Sequence, residues 1–373
     1  MSNGALKLLA GAGAGDDPVY VDDVFSTDLY EGNNVSTTVT NGIDLSGEGG
    51  LVWIKQRETG STFHVWTDTV RGTGKALYSN SDSAEVSAAW AVNSFSSTGY
   101  VNTGSDGYNN GYEKDFVGWT FRKQPGFFDI VTYTGNATNR QINHNLGSVP
   151  GMIIVKSTSS GNWWVYHRSA GGTVYGTTSA GQIFFQLEAT SAANDNIAYW
   201  NNTDATSTVF TVGTGPTNTN GETFIAYLFA HDAQDFGENS DEAIIKCGSY
   251  TGNGNNTGPI IDLGFEPQWV MIKDASASGD WWMFDTMRGW GVVTASELKA
   301  NTTAEEAAVI GAYAWLKPLV NGFQITDAAT GLNTNTNTHI YMAIRRPHKP
   351  ASEFAATKLF NVDAGANTTP GFD

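Results

Sequence analysis

Short apolar runs alternate with polar turns along the chain, most plainly across residues 128–168. There an apolar run opens into Tyr133-Thr134-Gly135-Asn136, a polar turn follows, and a run rich in Ile and Val ends on Lys156. A Gly-containing turn then leads into a Trp-rich third run. Runs of this length, rich in β-branched and aromatic residues and bounded by Gly, Asn and Ser, predict strands joined by turns.

The same order occurs three times. Tyr30-Glu31-Gly32-Asn33, Tyr133-Thr134-Gly135-Asn136 and Tyr250-Thr251-Gly252-Asn253 are each followed, 23 to 25 residues after the Tyr, by a lysine closing an apolar run: Lys55, Lys156 and Lys273. Trp66, Trp163-Trp164 and Trp281-Trp282 come next, each a few residues ahead of Arg71, Arg168 or Arg288. Each copy closes on a further apolar run, starting at Phe116, Phe224 and Ile340. A period of about 100 residues is too long for a solenoid unit, so each copy is expected to be a small domain of its own.

The predicted organisation is a Gly/Ala arm at residues 1–18, β-sandwich copies at 19–126, 127–240 and 241–350, and a C-terminal arm at 351–373. Only residues 123–126 separate the first two copies, too few to leave them independent, so a stiff row or compact cluster is expected. The N-terminal arm has almost no core of its own, and contact with a neighbouring subunit is its expected anchor.

Composition narrows the class. With 12% aromatic and 15% charged residues the chain is a folded one, and 43 glycines with short alternating runs point to an all-β protein with little helix. The best helical candidate is residues 303–310, where Thr303 and Glu306 have capping-box spacing ahead of Ala307-Ala308-Val309-Ile310. Leu77, Asn80 and Glu85 repeat the spacing of Leu298, Asn301 and Glu306, which predicts a loop or helical turn shared by two copies.

Charge and cysteine content exclude several roles. The 37 acidic and 20 basic residues give a net charge of -17, which opposes attraction to nucleic acid or an anionic membrane. No apolar stretch approaches the length needed to cross a bilayer, and residues 6–15 are too short and Gly-rich for a secretory signal. The single cysteine, Cys247, sits in an apolar strand pattern and is expected to be a buried small hydrophobe.

Candidate chemistry is sparse. Asp68-Thr69-Val70-Arg71-Gly72 and Asp285-Thr286-Met287-Arg288-Gly289 share the form D-T-x-R-G, and their expected work is to organise a turn through an Asp–Arg pair. The alternative makes Arg71 and Arg288 sugar-binding. Aromatic faces also stack on sugar rings, which adds Trp66, Trp164 and Trp282 as glycan-binding candidates; domain packing is the other reading. Five carboxylates at Asp232, Asp235, Glu238, Asp241 and Glu242 lack EF-hand spacing; a solvated connector is expected, with calcium the lesser alternative. No carboxylate triad of jelly-roll glucanases, serine-hydrolase elbow, zinc motif or phosphate loop is present, so no catalytic residue is named and no enzyme is expected.

The third copy's idiom, running through residues 250–253, 264–273 and 280–289 and closing at 340–350, resembles the tandem lectin-like repeat proteins of tailed phages of marine bacteria. The resemblance covers residues 21–350. It implies concanavalin-A-like sandwich or jelly-roll repeats, synthesis in the host cytoplasm and residence in the virion, with no catalytic residues to carry over. The expected function is that of a tail fibre or similar tail protein attaching to host-surface glycans; the alternative is a capsid decoration or tail-assembly subunit with no receptor role. Other virion proteins and further copies of the chain, as a trimer, are the expected partners.

Overall fold

The computed structural model describes residues 17–349, apart from 59, 105–106, 172–178, 292–293, 311–314 and 329–330. The fold is an all-β sandwich, and the longest α-helix among the described residues is the single turn Ile197–Trp200. Its strands build three six-stranded antiparallel sheets with one shared order. In the first sheet the order is Phe25–Glu31, Asp115–Arg122, Gly50–Gln56, Val65–Asp68, Lys75–Tyr78 and Val86–Ser87. The second runs Phe128–Thr134, Thr223–Ala230, Pro150–Ser157, Trp163–His167, Ile183–Gln186 and Asn194–Asp195. The third runs Ile245–Thr251, Thr338–Arg345, Pro267–Asp274, Trp281–Asp285, Thr294–Lys299 and Ala307–Ile310.

The lysine-closed runs lie inside their sheets, and every residue of Gly50–Gln56, Pro150–Ser157 and Pro267–Asp274 is buried. Burial on both faces explains why these strands are apolar throughout instead of alternating. On one face Val52 and Ile54 pack with Val39 and Tyr100 beneath the small sheet made by Ser36–Thr40, Val92–Ser96 and Gly99–Thr103. The third copy repeats this, with Val270 and Ile272 against Phe323 and Ile325.

The opposite faces of all three sheets meet in one hydrophobic core, which takes in Trp53, Trp66 and Trp119, Trp163 and Tyr227, and Trp269, Trp281 and Met342. Aromatic edges cross the boundaries: Trp66 lies 5.0 Å from Trp163 and 4.9 Å from Tyr227, and Phe121 lies 6.2 Å from Trp269. The expectation of a separate small domain per copy therefore gives way to sheets that share their largest core. The reason is the double-faced strand pattern, since one small partner sheet covers only one face of each.

Two further expectations change. Ala307–Ile310 is a strand paired with Thr294–Lys299, and Glu306 makes no helix cap. Its carboxylate receives two hydrogen bonds from the Arg57 guanidinium of the first copy, at 2.8 and 2.9 Å. The closing run of the third copy is also shifted by one residue. Tyr30 and Tyr133 face Phe116 and Phe224 across their strands, whereas Tyr250 faces His339, so the run begins there and not at Ile340. Residues 1–16 and 350–373, with the expected anchoring of the arm, lie outside the described residues.

The two ends of the described body meet. The Asp22 carboxylate accepts the backbone N–H groups of His348 and Lys349, and Lys349 Nζ reaches Asp23 at 2.6 Å.

Candidate functional site

The Tyr-x-Gly-Asn signature is a backbone clamp. Tyr30, Tyr133 and Tyr250 stack on Phe116, Phe224 and His339 and donate their hydroxyls to the carbonyls of Asn109, Thr217 and Leu332. The side chains of Asn110, Asn218 and Asn333 accept the N–H groups of Asn33, Asn136 and Asn253. The intervening glycine is required by space: a Cβ at Gly135 would stand 2.0 Å from the Thr219 carbonyl oxygen, and one at Gly252 would stand 2.2 Å from that of Thr334.

The strand-closing lysines are buried and spend their ammonium groups on carbonyls. Lys156 donates to Ser157 and Ser159, whereas Lys273 donates to Gly279 and, in the second copy, to Thr190. Lys55 holds Gln56 and Thr62. Burial draws all three down to about 8. Among the described residues they form no ion pair, and their work is to satisfy loop carbonyls together with the Thr62 hydroxyl.

Around the common core each turn after the fourth strand holds the closing strand of the next sheet. Asp68 binds Arg71 and accepts the Tyr227 hydroxyl from the second sheet at 2.9 Å. Asp285 binds Arg288 and accepts the Trp119 indole N–H from the first sheet at 3.1 Å. In the second sheet His167 stands at this place, and its Nε2 meets the Tyr341 carbonyl of the third sheet at 3.1 Å. The exchange of Asp for His has a chemical reason. Strand register puts Met342 where the other closing strands carry Trp119 and Tyr227, and a thioether has no hydrogen to give a carboxylate.

Glu85 and Glu306 complete the charged turns, reaching Arg71 and Arg288 at 3.2 and 3.6 Å. Asn80 and Asn301, at the shared spacing, accept the backbone N–H groups of His64 and Trp281. The sequence spacing common to the first and third copies thus encodes a polar network, not a helical turn.

These contacts decide where the candidate residues stand. Trp66 is 0% exposed and lies in the common core, so its ring has no face to offer a sugar. Register also separates it from the other two: Trp66 pairs with Trp53, whereas Trp164 and Trp282 pair with Val155 and Ile272, a position held in the first sheet by Val65. Trp164 is 9% exposed and roofed by Tyr199 at 4.6 Å. The Arg288 side chain is 0% and the Arg71 side chain 4% exposed, each spent on its Asp. Trp282 alone of the five keeps a half-buried ring, beside Trp315 at 5.1 Å and beneath the Lys299 ammonium at 4.5 Å. Glu297, Lys299 and Trp315 were missed because they fall outside the repeated motifs; the left-handed φ of 60° at Trp315 has no sequence signature.

Two of the five connector carboxylates have basic partners. Glu242 meets Arg345 at 3.0 Å and His348 at 2.6 Å, and Asp232 faces Lys246 at 3.8 Å. Asp232, Glu242, Lys246 and Arg345 line a cavity of about 300 Å³, so its charge is already mixed. No group of three or more His, Cys, Asp or Glu placed to hold a metal ion occurs among the described residues. Cys247 is buried, and burial raises its thiol far above the ordinary range.

No curated protein matches the chain. Residues 21–347 match the family described as Domain of unknown function (DUF7483), and the chain belongs to that family.

Proposed function

We propose that this chain is a structural subunit of a phage particle, in which three sheets act as one stiff block. The resemblance to marine phage repeat proteins supports the particle. The block reading is carried by one observation: Trp66, Trp164, Arg71 and Arg288 are spent on the framework, two of them in turns that fasten one sheet to the next. Other virion proteins and further copies of the chain are the partners of such a block. The acidic balance of -17 makes nucleic acid a poor one.

Host attachment through the tail is the second reading, favoured by the half-buried Trp282. Weak contacts to surface glycans would then be multiplied by oligomer symmetry. Gold-tagged antibody on intact virions, viewed by electron microscopy, tests both readings. Label over the head, with purified protein failing to block adsorption, supports the decoration subunit. Label at the tail with blocked adsorption supports attachment. Virions that take no label while the infected-cell lysate does would remove the particle reading altogether.

A further inference from the structure

One cluster breaks the pattern of its sheet. Lys299 lies opposite Trp282 across the strands, where the second sheet has Gln186 opposite Trp164 and the first has Tyr78 opposite Val65. Two residues earlier, on the same face, stands Glu297, where the other sheets place Phe184 and Ala76. The third sheet thus puts a carboxylate and an ammonium on a face that is largely apolar elsewhere. A departure of this kind, against the local rule for a half-covered sheet, marks a site more often than a framework.

The geometry is mixed in charge. Lys299 Nζ lies 3.5 Å from Glu297 Oε1, 3.6 Å from Asp280 Oδ2 and 4.5 Å above the Trp282 ring. Glu297 is 5% exposed, and its Oε2 is buried with no hydrogen-bond partner. Burial pushes that carboxyl up to about 6. Trp315 turns its ring edge-on to Trp282 from a backbone held at φ 60°, a conformation that a bulky residue rarely adopts.

We propose that Trp282, Trp315, Lys299 and Asp280 form a binding site for a neutral, pyranose-like polyol, with Glu297 positioning the Lys299 ammonium. The charges select the ligand class. A cation is repelled by Lys299, an anion by Asp280 and Glu297, and a purely apolar molecule would strip water from Lys299 and Asp280. A sugar ring satisfies both halves: its C–H face packs on the half-buried Trp315 indole, since Lys299 already covers a face of Trp282, while its hydroxyls donate to Asp280 and accept from Lys299. The site gives the attachment reading its ligand class and rests on that reading only for its biological use.

Saturation-transfer NMR on the full chain tests the site, with methyl α-glucopyranoside, methyl α-galactopyranoside and N-acetylglucosamine as separate millimolar probes. The expected result is saturable transfer to the ring C–H protons of at least one sugar. Trp315→Gly suits the left-handed backbone, and Lys299→Met keeps an aliphatic stem over Trp282; each should weaken binding roughly tenfold in a chain that still unfolds cooperatively, at a lower melting temperature because Trp315 packs on the core and Glu297 loses its cation. No transfer from any of the three sugars, or transfer that persists undiminished in both variants, overturns the proposal. Virion labelling is independent of this result, so a failed sugar site leaves the structural reading standing.

Discussion

The turn after the fourth strand fastens the next sheet through an Asp–Arg pair in the first and third sheets and through the neutral His167 in the second, yet all three do the same work. Asp68 and Asp285 each combine an arginine with a donor from the next closing strand, whereas His167 reaches a backbone carbonyl. Partner chemistry therefore sets the turn residue. Where the closing strand offers a hydroxyl or an indole N–H the turn carries a carboxylate, and where it offers Met342 the turn carries an imidazole. This is how the repeated D-T-x-R-G motif serves the framework.

The largest effect should come from breaking a charged turn. Asp285→Ala strands the Arg288 guanidinium in the core, with Glu306 at 3.6 Å as its remaining counter-ion, and should cost about 3–5 kcal/mol in chemical denaturation. A loss below about 1 kcal/mol would mean that the turn does not fasten the sheets. The neutral turn should fail differently, through acid. Burial lowers His167 to about 4 from an ordinary value near 6.5, so between those limits the unfolded chain takes up a proton that the folded chain refuses. Stability then falls as pH drops from about 6.5 to about 4, with His167 contributing at most about 3 kcal/mol. His64 and His231 are also lowered by burial and add to the slope, so the informative measurement is the flattening produced by His167→Gln. The smallest effect belongs to Trp119→Phe, which removes one hydrogen bond to Asp285 and leaves a small cavity beneath Arg288; about 2 kcal/mol is expected, and no measurable loss would mean that the indole N–H ties nothing.

What could be read in the sequence was local. The Tyr-x-Gly-Asn clamp, the strand-closing lysines and the all-β class each rest on a few neighbouring residues whose chemistry leaves little choice. Register across strands is not local, and neighbouring residues do not encode it. Trp66 looks like the partner of Trp164 and Trp282 because each stands a few residues ahead of an arginine, but one residue along a strand turns a side chain from one face to the other. The same slip hid His339 as the counterpart of Phe116. Glu306 failed for a related reason: capping-box spacing is satisfied, but Arg57, nearly 250 positions away in the chain, offers its carboxylate a stronger partner. The common core was hidden too, since an apolar strand looks the same whether its second face meets its own domain or a neighbour.

The meeting of residues 22–23 with 348–349 gives the described body the connectivity of a nearly closed circle. Little in the fold then depends on where that circle is cut. A circular permutant that splices the two ends together and opens between the exposed Glu238 and Asn239 would keep every sheet and every turn described above. The order in which the three copies are synthesised is in this sense a property of the gene, and the folded body is indifferent to it.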